Sequence, residues 1–288
     1  MTSDLASTRS GADPVLLRAP PVRTSALVFA SPHSGRAYTA DLTGWTQVSR
    51  AVLRRSEDAY VDALFADAPR HGAPLVEACF PRVFVDPNRA RNELDPAMFD
   101  PPLDSAEPAG SRAAAGLGVI PRLAADGRAL YASPLPAGEA RRRLDRYYAP
   151  YHALLANQLE AARAQFGEAL LIDCHSMPSA SARGADIVLG DRYGASCSRA
   201  VIARAEAAFR DQGFAVVRNR PYAGAYTTEH YGRPASGVQA LQIEINRGLY
   251  LDELKVERSR GFDALKRAIT VWIAAMTQLD GQAHAAAE

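Results

Sequence analysis

Short apolar runs that end directly in polar residues recur along this chain. In residues 169–178, four apolar residues precede Asp173, His175 and a proline. In residues 26–30, five apolar residues precede a turn that contains His33. Runs of this length are typical of buried strands and too short for helices. Because ligands bind at the carboxyl ends of strands in open α/β sheets, the pattern predicts an α/β domain with a site at that edge.

Asp173 and His175 carry the strongest local signal for chemistry. They are two residues apart, so both side chains point to the same side of an extended strand. A carboxylate beside an imidazole at a strand end is the arrangement of a carboxylate–histidine–metal unit. The alternative is that Asp173 caps the following turn and His175 is an ordinary loop histidine. This stretch alone favours neither interpretation.

Composition and charge exclude several classes of protein. The 288 residues include 48% hydrophobic and 23% charged residues, which is typical of a globular chain. A net charge of +1 gives no electrostatic attraction to nucleic acid or to an anionic membrane. No apolar run is long enough to cross a bilayer, and residues 1–20 lack a signal core. Three cysteines without Cys-x-x-Cys spacing favour a reduced, cytoplasmic protein without a thiolate zinc site.

The sequence predicts a single catalytic domain over residues 23–280, between a flexible tail at 1–22 and a frayed tail at 281–288. Residues 95–138 are rich in proline, glycine and alanine, and so long an insertion is usually functional or disordered. We expect a flap over the site, with a hairpin turn at Asp126-Gly127. The other predicted elements are a mostly helical stretch at 49–71, strands at 73–80 and 82–87, a long helix at 139–166, a loop at 222–232, a strand at 238–245 and a last helix at 252–279.

Two further polar clusters follow predicted elements. Glu57 and Asp58 stand where a helix is expected to begin, and acidic residues there usually do no more than favour the first turn. The alternative is that one of them completes a metal site. Asn88 and Arg89 follow an apolar run. Arg89 is either a solvated loop charge or a bidentate partner of a substrate carboxylate.

The strand at 238–245 brings a carboxylate to the same edge. Gln242 and Glu244 alternate with isoleucines, so they share one side of the strand. Asn246 and Arg247 follow directly. Glu244 is either a solvated residue on the polar side of an ordinary strand or, beside two strand-end histidines, a candidate general base.

In their order along the chain, these clusters resemble the N-formylglutamate amidohydrolase family. The resemblance rests on the motifs Pro32-His33-Ser34-Gly35, Asp58, Val85-Asp86-Pro87-Asn88-Arg89, Tyr151-His152, Asp173-Cys174-His175-Ser176, residues 226–232 and Gln242-Ile243-Glu244-Ile245-Asn246-Arg247. It implies a three-layer α/β/α domain with a mixed central sheet, similar to the zinc carboxypeptidases. It also implies one zinc ion per chain and a small N-acyl amino acid as substrate.

The resemblance implies which residues bind the zinc. His33 and His175 match the two histidine ligands of the family. Carboxypeptidase-like sites usually take a third ligand three residues after the first histidine, and that position is Arg36 here. We therefore expect Asp58 to be the third ligand, with Glu57 as the alternative.

The implied reaction is hydrolysis of the N-formyl, or a similar N-acyl, amide of an acidic amino acid such as N-formyl-L-glutamate. The products are formate and glutamate. Glu244 matches the catalytic glutamate that moves protons, and Asp173 is expected to orient His175. The other expected contacts are to the substrate carboxylates (Arg89, Asn88 and Arg247) and to the oxyanion (His230 or Tyr226). The sequence leaves open the acyl group, the side chain accepted and the oligomeric state.

Two alternatives from other classes remain at this stage. One is a metal-free hydrolase with Ser34 or Ser176 as nucleophile, although the chain has no Gly-x-Ser-x-Gly elbow. The other is a non-catalytic protein that binds an acidic amino acid on the same scaffold. Such a protein explains the arginines but not Glu244 beside two histidines.

Overall fold

The structure is a computed structural model that describes residues 13–104 and 110–277. Its centre is a mixed sheet of seven strands. The strands are β1 (Val15–Arg18), β2 (Leu27–Ser31), β3 (Leu75–Ala78), β6 (Ala169–Met177), β7 (Ile187–Gly190), β8 (Val216–Arg218) and β9 (Val238–Asn246). Two pairs of two-residue strands lie apart from this sheet: β4 (Phe99–Asp100) with β5 (Leu135–Pro136), and β10 (Leu251–Asp252) with β11 (Glu257–Arg258).

The strand order in the central sheet is β1-β3-β2-β6-β9-β7-β8. The four middle strands β3, β2, β6 and β9 are parallel. β1 runs antiparallel to β3, and β7 runs antiparallel to β9. All nine residues of β6 are buried, as expected for a parallel strand that is covered on both faces.

Helices cover both faces of the sheet. They are α1 (Ala40–Thr43), α2 (Arg50–Arg54), α3 (Val61–Leu64), α4 (Ser111–Ala114), α5 (Ala137–Arg143), α6 (Ala149–Phe166), α7 (Ser179–Ala182), α8 (Arg199–Arg210), α9 (Tyr226–Tyr231) and α10 (Phe262–Thr277). Side chains of β2 alternate between two apolar cores. Leu27 and Phe29 pack with residues of α3, α8 and α10, whereas Val28 and Ala30 pack with residues of α6. The predicted three-layer α/β/α fold with a mixed sheet is confirmed.

The carboxyl ends of β2, β6 and β9 meet at one edge of the sheet. Ala30 lies opposite Asp173, and His175 lies opposite Glu244. His33 follows β2 in a turn that passes close to the backbone after β3. A Cβ on Gly35 would lie 2.1 Å from the carbonyl oxygen of Phe80, so only glycine permits this close approach.

Three secondary-structure predictions were wrong. Val15–Arg18, placed in the flexible tail, forms edge strand β1 because its backbone pairs with β3; residues 1–12 and 278–288 lie outside the described residues. Residues 49–71 are not one helix: the chain breaks around Asp58, whose N–H donates to the carbonyl of His33. Residues 82–87 form no strand, since the N–H of Asp86 donates to the carbonyl of Val119.

Three further differences concern residues 222–232, the last helix and the insertion at 95–138. The predicted loop at 222–232 contains α9. The last helix begins at Phe262 rather than at residue 252, because the intervening residues form the β10–β11 pair. In the insertion at 95–138, the expected hairpin is reduced to an isolated bridge between Leu123 and Ala129. Among the described residues, no helix is long and apolar enough to cross a membrane.

Candidate active site and metal centre

His33, Asp58 and His175 form a buried cluster at the carboxyl edge of the sheet. Nδ1 of His175 lies 2.9 Å from Oδ2 of Asp58, and Nδ1 of His33 lies 3.3 Å from the same oxygen. Each residue is at most 3% exposed. Over residues 13–104 and 110–277, this is the one group of three histidine, cysteine or acidic side chains whose ligand atoms lie within 4.8 Å of one another.

The outer nitrogens of the two imidazoles show why this cluster fits a metal ion. Nε2 of His33 lies 2.7 Å from Oδ1 of Asp86, and Nε2 of His175 lies 3.0 Å from Oδ2 of Asp173. An ionised carboxylate only accepts hydrogen bonds, so protons on the two Nε2 atoms can be donated to Asp86 and Asp173, which would leave both Nδ1 lone pairs for a metal ion. In that state two lone pairs and a carboxylate oxygen converge on one point, as the ligands of a metal ion do. Two neutral imidazoles and one carboxylate are the ligand set of a catalytic zinc.

Asp58 is fixed from two directions. Its N–H donates to the carbonyl of His33, and Nη2 of Arg247 donates to its Oδ1 at 2.9 Å. Burial opposes ionisation of this carboxyl group, but the contacts with the imidazoles of His175 and His33 hold the pKa of Asp58 well below its usual range. Asp58 is therefore an anion held in place beside both imidazoles, as a metal ligand would need to be.

Glu57, the alternative third ligand, points away from the cluster. Its carboxylate accepts hydrogen bonds from the hydroxyl of Tyr38 at 2.7 Å and from Nε of Arg54 at 3.3 Å. The carboxylate of Asp58 thus contacts the two imidazoles, whereas that of Glu57 contacts Tyr38 and Arg54. The geometry favours Asp58 over Glu57 as the third ligand.

Glu244 lies beside the cluster without belonging to it. It pairs with His175 in the register of β9 and β6, and Nε2 of Gln242 donates to its Oε1 at 2.9 Å. Burial raises the pKa of the Glu244 carboxyl group to about 7. A carboxyl group that exchanges protons near neutral pH is suited to general acid–base catalysis.

Arg82 is a site residue that the sequence interpretation missed. Its Nη2 donates to Oδ2 of Asp86 at 2.8 Å, and its Nη1 lies 3.8 Å from Oδ1 of Asp58. Its side chain is 26% exposed and lines the same cavity as the cluster. The only signal in the sequence was its position four residues before Asp86, inside a run that the pattern assigned to a strand.

Asn88 and Arg89 lie on opposite sides of one short segment. Oδ1 of Asn88 accepts a hydrogen bond from the N–H of Thr227 at 2.8 Å, and its Nδ2 lies 3.1 Å from Nε2 of His175. Arg89 donates from Nε to the carbonyl of Leu117 at 3.0 Å and from Nη1 to the carbonyl of Asn88 at 3.3 Å, which fixes its guanidinium in the cavity wall. Asn88 therefore links α9 to the side chain of His175. Arg89 can contact a substrate through its remaining N–H groups.

Arg247 does not have the surroundings of a substrate-binding residue. Its Nη2 donates to Asp58, its Nε donates to Oγ of Ser176 at 3.2 Å, and its Nη1 lies 3.5 Å from the carbonyl of Arg55. Each nitrogen of the guanidinium is already engaged by the protein. Its position fits the orientation of Asp58 better than the predicted contact with a substrate carboxylate.

His230 and Tyr226 lie outside the cavity lining. They belong to α9, where the Tyr226 hydroxyl and Nδ1 of His230 are 3.2 Å apart and the rings stack at 5.0 Å. The predicted contact of either residue with an oxyanion therefore finds no support in the geometry. The sequence pattern predicted a loop over residues 222–232, but α9 forms there and contains both residues.

The site opens into a cavity of about 570 Å³. Its floor combines the histidine–aspartate cluster with Glu244, Arg82 and Asp86. Besides Arg82, four arginines line this cavity, together with apolar residues of the 95–138 insertion: Arg55, Arg89, Arg112 and Arg247. A cationic wall around a metal-binding floor suits an anionic substrate with a hydrolysable carbonyl group.

Residues 25–251 match the family model described as N-formylglutamate amidohydrolase. The chain belongs to this family. An N-formylglutamate deformylase of Pseudomonas aeruginosa is 34% identical over 236 residues, which cover 79% of this chain and 82% of the relative. An N-formylglutamate deformylase of Pseudomonas putida is 31% identical over the same shares of both chains.

One solved structure agrees with this family assignment, and a second shows the fold alone. The crystal structure of an N-formylglutamate amidohydrolase from Ralstonia eutropha JMP134 is 37% identical, with a TM-score of 0.88, and the match covers 94% of this chain and 99% of that chain. A protein from Agrobacterium tumefaciens is 18% identical with a TM-score of 0.61, covers 98% and 97% of the two chains, and shares the fold.

The two serines of the metal-free alternative are engaged in structural hydrogen bonds in this member of the family. Oγ of Ser34 donates to the carbonyl of Asp58 at 2.8 Å and accepts from the N–H of Asp62 at 3.1 Å. Oγ of Ser176 accepts from Arg247. Neither hydroxyl faces an imidazole that would activate it, which argues against a serine nucleophile.

Proposed function

We propose that this chain is a zinc-dependent amidohydrolase that converts N-formyl-L-glutamate and water into formate and L-glutamate. One observation carries the proposal: in a chain of this family, the cluster of His33, Asp58 and His175 and the separate carboxyl group of Glu244 line one cavity. The deformylases of the two Pseudomonas species support the choice of substrate.

His33, Asp58 and His175 would hold the zinc ion. When bound, zinc acts as a Lewis acid towards the scissile carbonyl and lowers the pKa of water. Asp86 and Asp173 keep the imidazoles in the required tautomer through their contacts to the two Nε2 atoms. Arg247 keeps Oδ2 of Asp58 turned towards both imidazoles by binding Oδ1.

Glu244 carries the proton chemistry. Its carboxylate accepts a proton from the attacking water and then delivers that proton to the amine nitrogen as the C–N bond breaks. The position of Glu244 on β9, one strand away from His175, allows it to face the same carbonyl carbon without replacing a ligand. The donor Gln242 fixes one of its oxygens.

Two arginines bind the negatively charged groups of the substrate and of the transition state. Arg82 lies beside Asp58 and faces the cavity, so its guanidinium stabilises the negative charge that develops on the carbonyl oxygen. Arg89 lies in the cavity wall and binds a substrate carboxylate through its planar fork. This assignment gives the oxyanion to Arg82 instead of His230 or Tyr226.

The deciding experiment measures formate release from N-formyl-L-glutamate by metal-stripped protein and after addition of zinc, manganese or cobalt. We expect negligible release without metal and restored release with zinc. Full activity in excess chelator would contradict the metal dependence. Zinc-loaded protein that releases formate from no formylated amino acid would contradict the assigned reaction.

A further inference from the structure

The segment Asp86-Pro87-Asn88-Arg89 runs from the histidine–aspartate cluster to the cavity wall that contains Arg89. Asp86 contacts His33, Asn88 contacts His175, and Arg89 reaches the cavity. The segment has no regular secondary structure, so no strand or helix fixes its backbone. Its conformation must come from contacts that hold its peptide groups.

Helix α6 and the π-helical turn before it (Leu144–Tyr148) supply two of these contacts. Nε2 of His152 lies 2.9 Å from the carbonyl oxygen of Pro87, and the hydroxyl of Tyr148 donates to the carbonyl of Arg89 at 2.9 Å. The two rings are packed together, with centroids 4.2 Å apart. The carbonyls of Pro87 and Arg89 lie on either side of Asn88. His152 and Tyr148 therefore hold the backbone of the segment before and after Asn88.

The hydrogen-bond partners fix the tautomer of His152. A carbonyl oxygen only accepts, so Nε2 carries the proton and donates to Pro87. Nδ1 then accepts from the hydroxyl of Tyr231, which lies 2.8 Å away on α9. Burial lowers the pKa of His152 to about 4, in agreement with a neutral ring at the pH at which enzymes work.

We propose that His152 is a positioning residue for substrate recognition, which sets the backbone of the 86–89 segment and thereby the direction in which Arg89 meets a substrate carboxylate. Tyr148 acts with it on the carbonyl of Arg89 itself. The inference rests on the proposed function in one respect, the assignment of Arg89 to a substrate carboxylate. It adds that affinity for the carboxylate depends on a histidine that does not line the cavity.

Two substitutions at position 152 separate the two nitrogens of the ring. The amide nitrogen of glutamine reaches about the place of Nε2, whereas that of asparagine reaches about the place of Nδ1. His152→Gln therefore keeps the donor to Pro87, and His152→Asn loses it. We expect His152→Asn to raise KM for N-formylglutamate about tenfold, the effect of one lost hydrogen bond, with a smaller change in kcat. His152→Gln should stay within about twofold of wild type, since that bond is kept.

Tyr148→Phe provides an independent variant that keeps the ring and removes the donor to Arg89. It should raise KM in the same way, and it decides the question if His152→Asn fails to fold. Tyr147→Phe is the matched control, because the Tyr147 hydroxyl donates to Asp41 at 2.8 Å and not to the 86–89 segment. Its KM should equal that of wild type.

Calorimetric affinity for the product, L-glutamate, and zinc content are measured on every variant. Weaker glutamate binding in His152→Asn and Tyr148→Phe, with zinc retained, supports the inference even if formate release is absent, in which case only the proposed reaction fails. Unchanged KM and glutamate affinity in both variants would overturn it. A parallel loss of zinc and kcat with unchanged KM would also overturn it, because that is the result of general loosening.

Discussion

His175 and Glu244 lie directly opposite each other on two neighbouring parallel strands, β6 and β9. The imidazole turns Nδ1 towards Asp58, whereas the carboxyl group of Glu244 remains outside the ligand cluster. The sheet thus places the proposed metal ligand and the proposed proton acceptor side by side, in separate positions. Because both residues belong to paired parallel strands and not to a loop, the backbone of the sheet sets the spacing between His175 and Glu244.

This separation predicts the behaviour of Glu244→Gln. Glutamine keeps the size of the side chain and removes the proton acceptor, so turnover should fall by about 10²–10⁴-fold. Zinc content and thermal stability should stay close to wild type, because the ligands are untouched. His175→Ala is the contrasting variant and should lose zinc. Loss of zinc from Glu244→Gln would make Glu244 a ligand, and retained activity would exclude it as the base.

The neighbouring acidic residues Asp58 and Glu57 give a matched pair of substitutions. Both are 2% exposed, but only Asp58 contacts the two imidazoles. Asp58→Asn should lose most of its zinc, since it removes the only anionic ligand, whereas Glu57→Gln should retain it. Elemental analysis of both proteins after dialysis measures this directly. Equal zinc content in the two variants would require a different third ligand.

Arg82 and Arg89 are predicted to affect different kinetic constants. Arg82→Met removes the charge beside the developing oxyanion and should lower kcat about 10²–10³-fold with little change in KM. Zinc content is the control for this variant, because Arg82 also binds Asp86. A rise in KM alone would place Arg82 at a substrate carboxylate instead.

Arg89→Lys keeps the charge and loses the planar fork. It should lower kcat/KM for N-formylglutamate about 10- to 100-fold, since a hydrogen bond between charged groups is worth about 1.5–3 kcal/mol. A formylated amine without carboxylates should lose much less. The ratio of the two substrates is therefore the measurement, and equal losses on both would reject the role of Arg89.

The sequence was sufficient to predict the parts of the site that follow strands. His33 and His175 come shortly after apolar runs, which places both at the carboxyl edge of the sheet. The alternation in β9 shows that Glu244 and Gln242 point to the same face of that strand. Strand periodicity was therefore enough to predict where these three side chains lie. Asp58, Arg82 and Asp86 come from irregular backbone whose hydrogen bonds reach distant residues, such as Asp58 to His33 and Asp86 to Val119. Local periodicity contains no information about such contacts, so the pattern extended a helix through Asp58 and a strand through Asp86.

The same limit applies to His230 and Tyr226, which were predicted to lie in a loop. Residues 222–232 contain glycine and aromatic residues that are typical of a loop, yet α9 forms because its rings pack on His152 and its first turn binds Asn88. Tertiary packing overrides local propensity here. His230 and Tyr226 consequently contribute to the aromatic cluster around His152 and not to the cavity.

His152 also predicts a pH dependence of stability. Its pKa is about 4 in the folded protein because the ring is buried, and about 6.5 in the unfolded chain. Between these values the unfolded state binds the additional proton, so acid favours unfolding and stability rises with pH. Relative to His152→Gln, which does not titrate, wild type should gain up to about 3 kcal/mol between pH 4 and 6.5 and nothing above pH 7.

Urea unfolding of wild type and His152→Gln at intervals from pH 4.5 to 7.5 tests this prediction. The quantity of interest is the difference in unfolding free energy between the two proteins at each pH, because titration of all other groups, including the neighbouring His230, is common to both and largely cancels. That difference should shift in favour of wild type up to about pH 6.5 and then remain constant. A difference that is flat across the whole range would show that His152 titrates alike in both states, and the ring would then not be held neutral between Pro87 and Tyr231.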